Sequence, residues 1–186
     1  MLDKFSTVKK GLYCMYNTER IINNYTLIYK QYNIEDKFDI RVPADDIWSY
    51  LRRGVPIKDC NMAKYILDCD MYPGVLNTLA LNVCINLQVT NDVILDKNSL
   101  DSQPSLTGLY VYDTIHQVLL SKYIDNKYIT KEAELRLDET RVVKNEVEHQ
   151  LDIIKILEDS KFSETLVKDM YSKSIENIVS YNNIYW

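Results

Sequence analysis

Residues 79–89, Leu-Ala-Leu-Asn-Val-Cys-Ile-Asn-Leu-Gln-Val, decide between two architectures. Leu79, Leu81, Val83, Ile85, Leu87 and Val89 alternate with Ala80, Asn82, Cys84, Asn86 and Gln88. Strict period two puts all six apolar residues on one face of a β-strand and scatters them around a helix. The competing reading is a buried helix, because Leu76, Leu79, Val83 and Leu87 also fit the 3.6-residue period. The alternation favours the strand. Val93-Ile94-Leu95 then returns as its partner across Thr90-Asn91-Asp92, giving a β-hairpin over 76–96 and a polar loop from Asp96 to Ser105.

Before this stretch, residues 1–72 read as N-terminal helices. Phe5, Val8, Leu12, Met15, Ile22, Tyr25, Tyr29 and Tyr32 keep an amphipathic rhythm, interrupted by Glu19 and Asn23-Asn24, so the segment is two helices or one kinked helix. Phe38 to Val42 alternates and reads as a short strand or extended link stopping at Pro43. Residues 43–54 carry a compact helix signal: Pro43 at the start, Asp45 and Asp46 near the positive end, Arg52 and Arg53 in the last turn, Gly54 beyond. Another helix is expected from Asp59 to Asp70, with Met62, Tyr65, Ile66 and Cys69 on one side. Pro73-Gly74 punctuates the chain.

After it, residues 107–186 read as a long-helix half. Leu109, Tyr112, Ile115, Leu119 and Tyr123 repeat by three and four. A turn at Asp125-Asn126 leads to a long helix from about Thr130 to Asp159, with an apolar seam through Val143, Val147, Leu151, Ile154 and Leu157. Ser163 caps a last helix bearing Leu166, Met170, Ile178 and Tyr181. The expected fold is mainly α: a single domain, 1–186, forming a helical bundle with long C-terminal helices and a small β-hairpin or sheet insertion.

Composition narrows function. The 186 residues include 4 Gly and 4 Pro, where average usage predicts roughly 13 and 9. Gly11, Gly54, Gly74 and Gly108 are scattered, so GxGxxG, GxxxxGK[ST] and GxSxG are all absent. A nucleotide enzyme built on a glycine-rich loop is disfavoured. The net charge of −5 speaks against a general nucleic-acid surface. No apolar run approaches the roughly 18–20 residues of a membrane span, and MLDKFSTVKK lacks a signal-peptide core, so a cytosolic start is expected. With 19 Ile and 15 Tyr against 4 Ala, and 16 Lys against 6 Arg, the chain has the bias of an AT-rich coding genome.

Catalytic and metal signals are thin. Cys14, Cys60, Cys69 and Cys84 share no zinc-like spacing. Asp45/Asp46, Asp68/Asp70, Glu132/Glu134 and Glu146/Glu148 diverge on helices rather than converge. Glu146 and His149 make one ExxH spacing, of which a di-iron bundle needs two. His116 sits between apolar neighbours and reads as structural. No catalytic residue, metal or cofactor is assigned.

Two features favour an interaction surface. Tyrosine gives large contact area at low entropic cost and is enriched at interfaces, and Tyr25, Tyr29 and Tyr32 sit on a polar stretch. The chain closes on Tyr181, Ile184, Tyr185 and Trp186, an aromatic end that needs a pocket in its own fold or on a neighbour. These seven residues are the candidate interface.

Residues 108–151, GLYVYDTIHQVLLSKYIDNKYITKEAELRLDETRVVKNEVEHQL, run from an apolar helix through an aromatic turn (Tyr123 to Tyr128) into a long acidic helix. This order resembles the helical core of head-to-tail adaptor, or neck ring, proteins of short-tailed phages. The resemblance covers about a quarter of the chain and assigns no residue a role. It implies a structural virion protein, made in the host cytoplasm, with copies of itself in a ring and the portal and tail proteins as partners, and with no membrane or sequence-specific nucleic acid. An acidic lumen would let DNA pass. The alternative is a host-modulating protein similar to the Bcl-2-like proteins of poxviruses, binding a host helix in a groove; the expected strand counts against it. A helical enzyme without a recognisable motif ranks last.

Overall fold

The computed structural model describes residues 2–33, 39–66, 74–97, 103–123 and 131–184. These residues form α1 (Thr7–Ile21), α2 (Asn23–Tyr32), α3 (Arg41–Arg53), α4 (Val75–Ile94), α5 (Pro104–Tyr123), α6 (Lys131–Asp138), α7 (Arg141–Asp159) and α8 (Glu164–Glu176), with 3-10 turns at Leu2–Lys4 and Met62–Tyr65. The mainly α expectation holds.

The hairpin does not. Residues 75–94 are one helix, with no strand among the described residues. Its neighbours α1, α2, α3 and α5 enclose it, and an enclosed helix needs no single apolar face. Period two is therefore uninformative here, and a second period carries the signal. Asn82, Asn86 and Thr90 recur by four, so a helix collects them in one stripe. All three are buried. Asn82 Nδ2 donates to Asp113 Oδ2 at 2.9 Å and Thr114 Oγ1 at 3.2 Å. Asn86 Nδ2 donates to the Thr107 carbonyl at 3.2 Å. The Thr90 hydroxyl donates to the Asn86 carbonyl at 2.6 Å and lies 3.2 Å from that of Thr18 on α1. These bonds offset much of the desolvation that an unpaired buried polar group would suffer, and Asn86 Oδ1 is the one buried side-chain nitrogen or oxygen of the described residues left without a partner.

Other boundaries moved for local reasons. The extended link does not reach Val42: the Asp39 carboxylate accepts the Arg41 N–H at 2.8 Å, and α3 begins there. Pro43 falls in its first turn, where a missing N–H costs nothing. Gly54 ends α3 in the left-handed region at φ 69°, its N–H donating to the Tyr50 carbonyl at 2.7 Å. Instead of a helix from Asp59 there is the 3-10 turn at Met62–Tyr65, where the Asn61 side chain accepts from Ala63 N; positions 67–70 lie outside the described residues. The long helix expected over 130–159 is two, α6 and α7. Thr140 breaks it, accepting the Val143 N–H as an N-cap and donating to the Leu137 carbonyl at 2.7 Å. The aromatic turn after Tyr123 lies outside the described residues.

The α7 seam is displaced too. Val143, Glu146, Ile153, Ile154 and Leu157 are buried, whereas Val147 and Leu151 stand 48% and 51% exposed. Ser163 caps α8 as expected, accepting from Leu166 N. After α8 the chain turns back: Val179 N donates to the Arg20 carbonyl at 2.8 Å, anchoring residues 177–184 against the end of α1.

Candidate functional site

A cleft of about 470 Å³ opens where the end of α1, the middle of α7 and the segment after α8 meet. Its polar core grows from the last turns of α1, which bring Tyr16 and Arg20 to one side at i, i+4. Arg20 is 3% exposed and Glu146 5%. The two guanidinium nitrogens of Arg20 donate to the two Glu146 oxygens at 2.8 and 2.6 Å. The remaining Nε donates to the Asn177 carbonyl at 2.9 Å. Arg20 thus spends its planar fork on a carboxylate, the geometry in which a guanidinium exceeds an ammonium.

One turn away, Tyr16 OH and His149 Nε2 lie 2.5 Å apart, with the rings stacked at 5.8 Å. Burial pushes the Tyr16 phenol up to about 12. Burial first, and then the Arg20 charge, lowers the His149 imidazole from its ordinary value. Both shifts favour a neutral pair, in which the imidazole tautomer sets the donor of this hydrogen bond. Gln150 extends the network, donating to Asn17 Oδ1 at 2.9 Å and Glu146 Oε1 at 2.5 Å and accepting from Tyr13 OH at 2.7 Å. The ExxH pair therefore faces two different partners. Among the described residues, no group of three or more His, Cys, Asp or Glu side chains is arranged to hold a metal.

Sequence pattern alone does not single out Arg20, Tyr16 or Asn24. Their signal was indirect: Glu146 and Gln150 occupy seam positions of α7 between Val143 and Ile154, and a charge on an inward face requires a buried partner. Asn24 is fully buried, donating to the Val179 carbonyl at 2.9 Å and accepting the Tyr181 N–H at 3.0 Å.

The candidate interface residues separate. Tyr25 and Tyr29 are buried with their hydroxyls 2.7 Å apart, and Tyr25 donates to the Tyr65 carbonyl at 3.0 Å. Tyr32 stands exposed at the end of α2. Ile184 is buried, and Tyr181 is partly buried with the Lys122 ammonium 4.6 Å from its ring centroid. Lys122 Nζ also donates to the carbonyls of Tyr181 and Ile184. Tyr185 and Trp186 lie outside the described residues. No helix among the described residues is long and apolar enough to cross a membrane.

The described residues form a helical bundle in which α1 and α4 are enclosed and residues 177–184 close over the end of α1. The fold is similar to that of a solved structure of a DUF416 family protein from Shewanella baltica OS155, with a TM-score of 0.78 at 16% identity over 100% of this chain and 96% of that one. At that identity the likeness establishes the fold. No family model matches the chain. No curated protein matches it in sequence.

Proposed function

We propose that this protein is a structural assembly subunit that pairs with copies of itself through the outer face of α7. The observation that carries the reading is the pair Val147 and Leu151, one turn apart and about half exposed on a helix whose other face is in the core. Charge pattern favours a second copy as the occupant. Lys144 and Glu158 lie equally far from Leu151 on either side, Glu148 and Lys155 nearly so, and all four are exposed. Two α7 helices laid antiparallel about Leu151 would set each cation against an anion, as a self-complementary two-fold contact requires. The virion connector ring implied by residues 108–151 extends this reading, since a ring needs a further contact beyond the two-fold one.

Solution mass across micromolar concentrations tests the pairing. A dimer or larger species is expected, reduced to monomer by Leu151→Glu with helix content unchanged. A wild-type protein that stays monomeric throughout overturns it. Recovery of the protein in purified particles, beside portal and tail proteins, tests the virion extension.

A further inference from the structure

A second cleft, of about 480 Å³, lies between α3 and α8 on another part of the surface. It has the size range of small-molecule sites. Its wall is aromatic. Trp48 and Tyr171 meet edge to face at 5.1 Å between ring centroids. Trp48 is held in place because its Nε1 donates to Glu19 Oε2 at 2.8 Å, while Tyr171 remains 37% exposed and offers ring surface to the cleft.

The rim is cationic, carrying Arg52, Arg53 and Lys168 in a chain whose net charge is −5. These charges are incompletely neutralised. Asp45, the acidic residue in the lining, already binds Arg41 at 2.8 Å. Glu164 lies 3.0 Å from Lys168 and a loose 3.5 Å from Arg52. Arg53 donates to the Ser49 hydroxyl at 3.3 Å, and none of the ion pairs of the described residues includes it. The local field is felt by Glu164, whose carboxyl is held below its ordinary range by Lys168 first and by Arg52 and Arg53 as well.

We infer that the α3–α8 cleft binds a small ligand carrying an aromatic ring and a phosphate, in the manner of a nucleoside monophosphate. The ring packs on Tyr171 and the edge of Trp48, where a base finds a sequence-tolerant π surface. The phosphate takes the guanidinium forks of Arg52 and Arg53, which match its oxygens bidentately, with Lys168 as a point charge. The site is independent of the α7 face, so the two readings stand or fall separately.

Calorimetric titration of the full chain with AMP, adenosine and inorganic phosphate at low salt tests the inference. AMP is expected to bind saturably at one site, with adenosine and phosphate each weaker by about tenfold or more, since each lacks one half of the recognition. Arg52→Ala combined with Arg53→Ala should weaken AMP by at least about tenfold, and Tyr171→Leu should weaken AMP and leave phosphate unchanged. All three positions are exposed or partly so, and circular dichroism checks that the variants fold. Absence of AMP binding at millimolar concentration overturns the inference, as does AMP binding that survives the double arginine substitution. Phosphate binding as tight as AMP overturns its aromatic half.

Discussion

Gly11 of α1 lies so close to Ile94 of α4 that a β-carbon on Gly11 would stand 2.6 Å from Ile94 Cγ1 and 3.2 Å from its Cδ1. Here the Ile94 side chain of α4 packs directly on the backbone of α1. Alanine normally gains up to about 1 kcal/mol over glycine inside a helix. At this position a β-branched neighbour, stiff at χ1, blocks the gain.

Gly11→Ala is therefore expected to lower stability by about 1–3 kcal/mol, the usual range for overpacking. Urea unfolding measures it. Ile94→Ala removes the obstruction, so the double substitution should cost less than the sum of the two single ones. Strict additivity would mean that the two helices do not meet as described.

Loss of one partner of the Arg20–Glu146 pair leaves a buried charge uncompensated. Glu146→Ala is expected to cost about 3–5 kcal/mol. Replacing both groups by apolar residues of similar size, Arg20→Met with Glu146→Leu, should recover most of that loss. A single substitution within about 0.5 kcal/mol of wild type, the range of ordinary surface changes, would show that the pair does not hold α1 to α7.

The His149 imidazole is held below its ordinary value of 6.5 by burial and by Arg20. Below that value the unfolded chain takes up a proton that the folded one resists, so stability is complete above it and falls as the pH drops. The slope should stay under the roughly 1.4 kcal/mol per pH unit of a full proton, because the ring is partly exposed. Urea midpoints at pH 7.5 and 5.5 read the effect, and His149→Gln should shrink the difference. An unchanged difference would assign the pH dependence to other groups.

Burial pushes the thiols of Cys14 and Cys84 up to about 12. Cys60 is half-buried, and burial raises its thiol as well. Since the thiolate is the reactive form, a thiol reagent applied to the native protein should modify Cys60 well before Cys14 or Cys84. Peptide mass mapping over a time course checks the order. Early modification of Cys14 would show that α1 is less enclosed than described.

Signals that are local in the chain were legible. Arg52, Arg53 and Gly54 end a helix through charge and backbone freedom alone, and Ser163 caps one through its own hydroxyl. The break near Asn23 also showed in the rhythm of α1 and α2. Residues 79–89 misled because their surroundings are tertiary. With α1 and α5 supplying Thr18, Thr107 and Thr114 as hydrogen-bonding partners, the side chains of Asn82, Asn86 and Thr90 could turn inward, and alternation lost its meaning. The polar cleft was illegible for a similar reason. Arg20 and Glu146 are 126 positions apart, and only the position of Glu146 on an inward face of α7 hinted that it had a partner.

The return of the chain over α1 has a consequence for synthesis. Asn24 meets the backbone of Tyr181 across 157 positions and that of Val179 across 155. At roughly 5–20 residues per second of translation, that separation is on the order of ten seconds or more. Throughout that interval the carboxamide of Asn24 lacks its native partners, and α1 and α2 cannot settle into their final surroundings. The first long helices made are among the last to be enclosed, so the ribosome carries them as an open form whose apolar faces a chaperone could grip until residue 179 emerges.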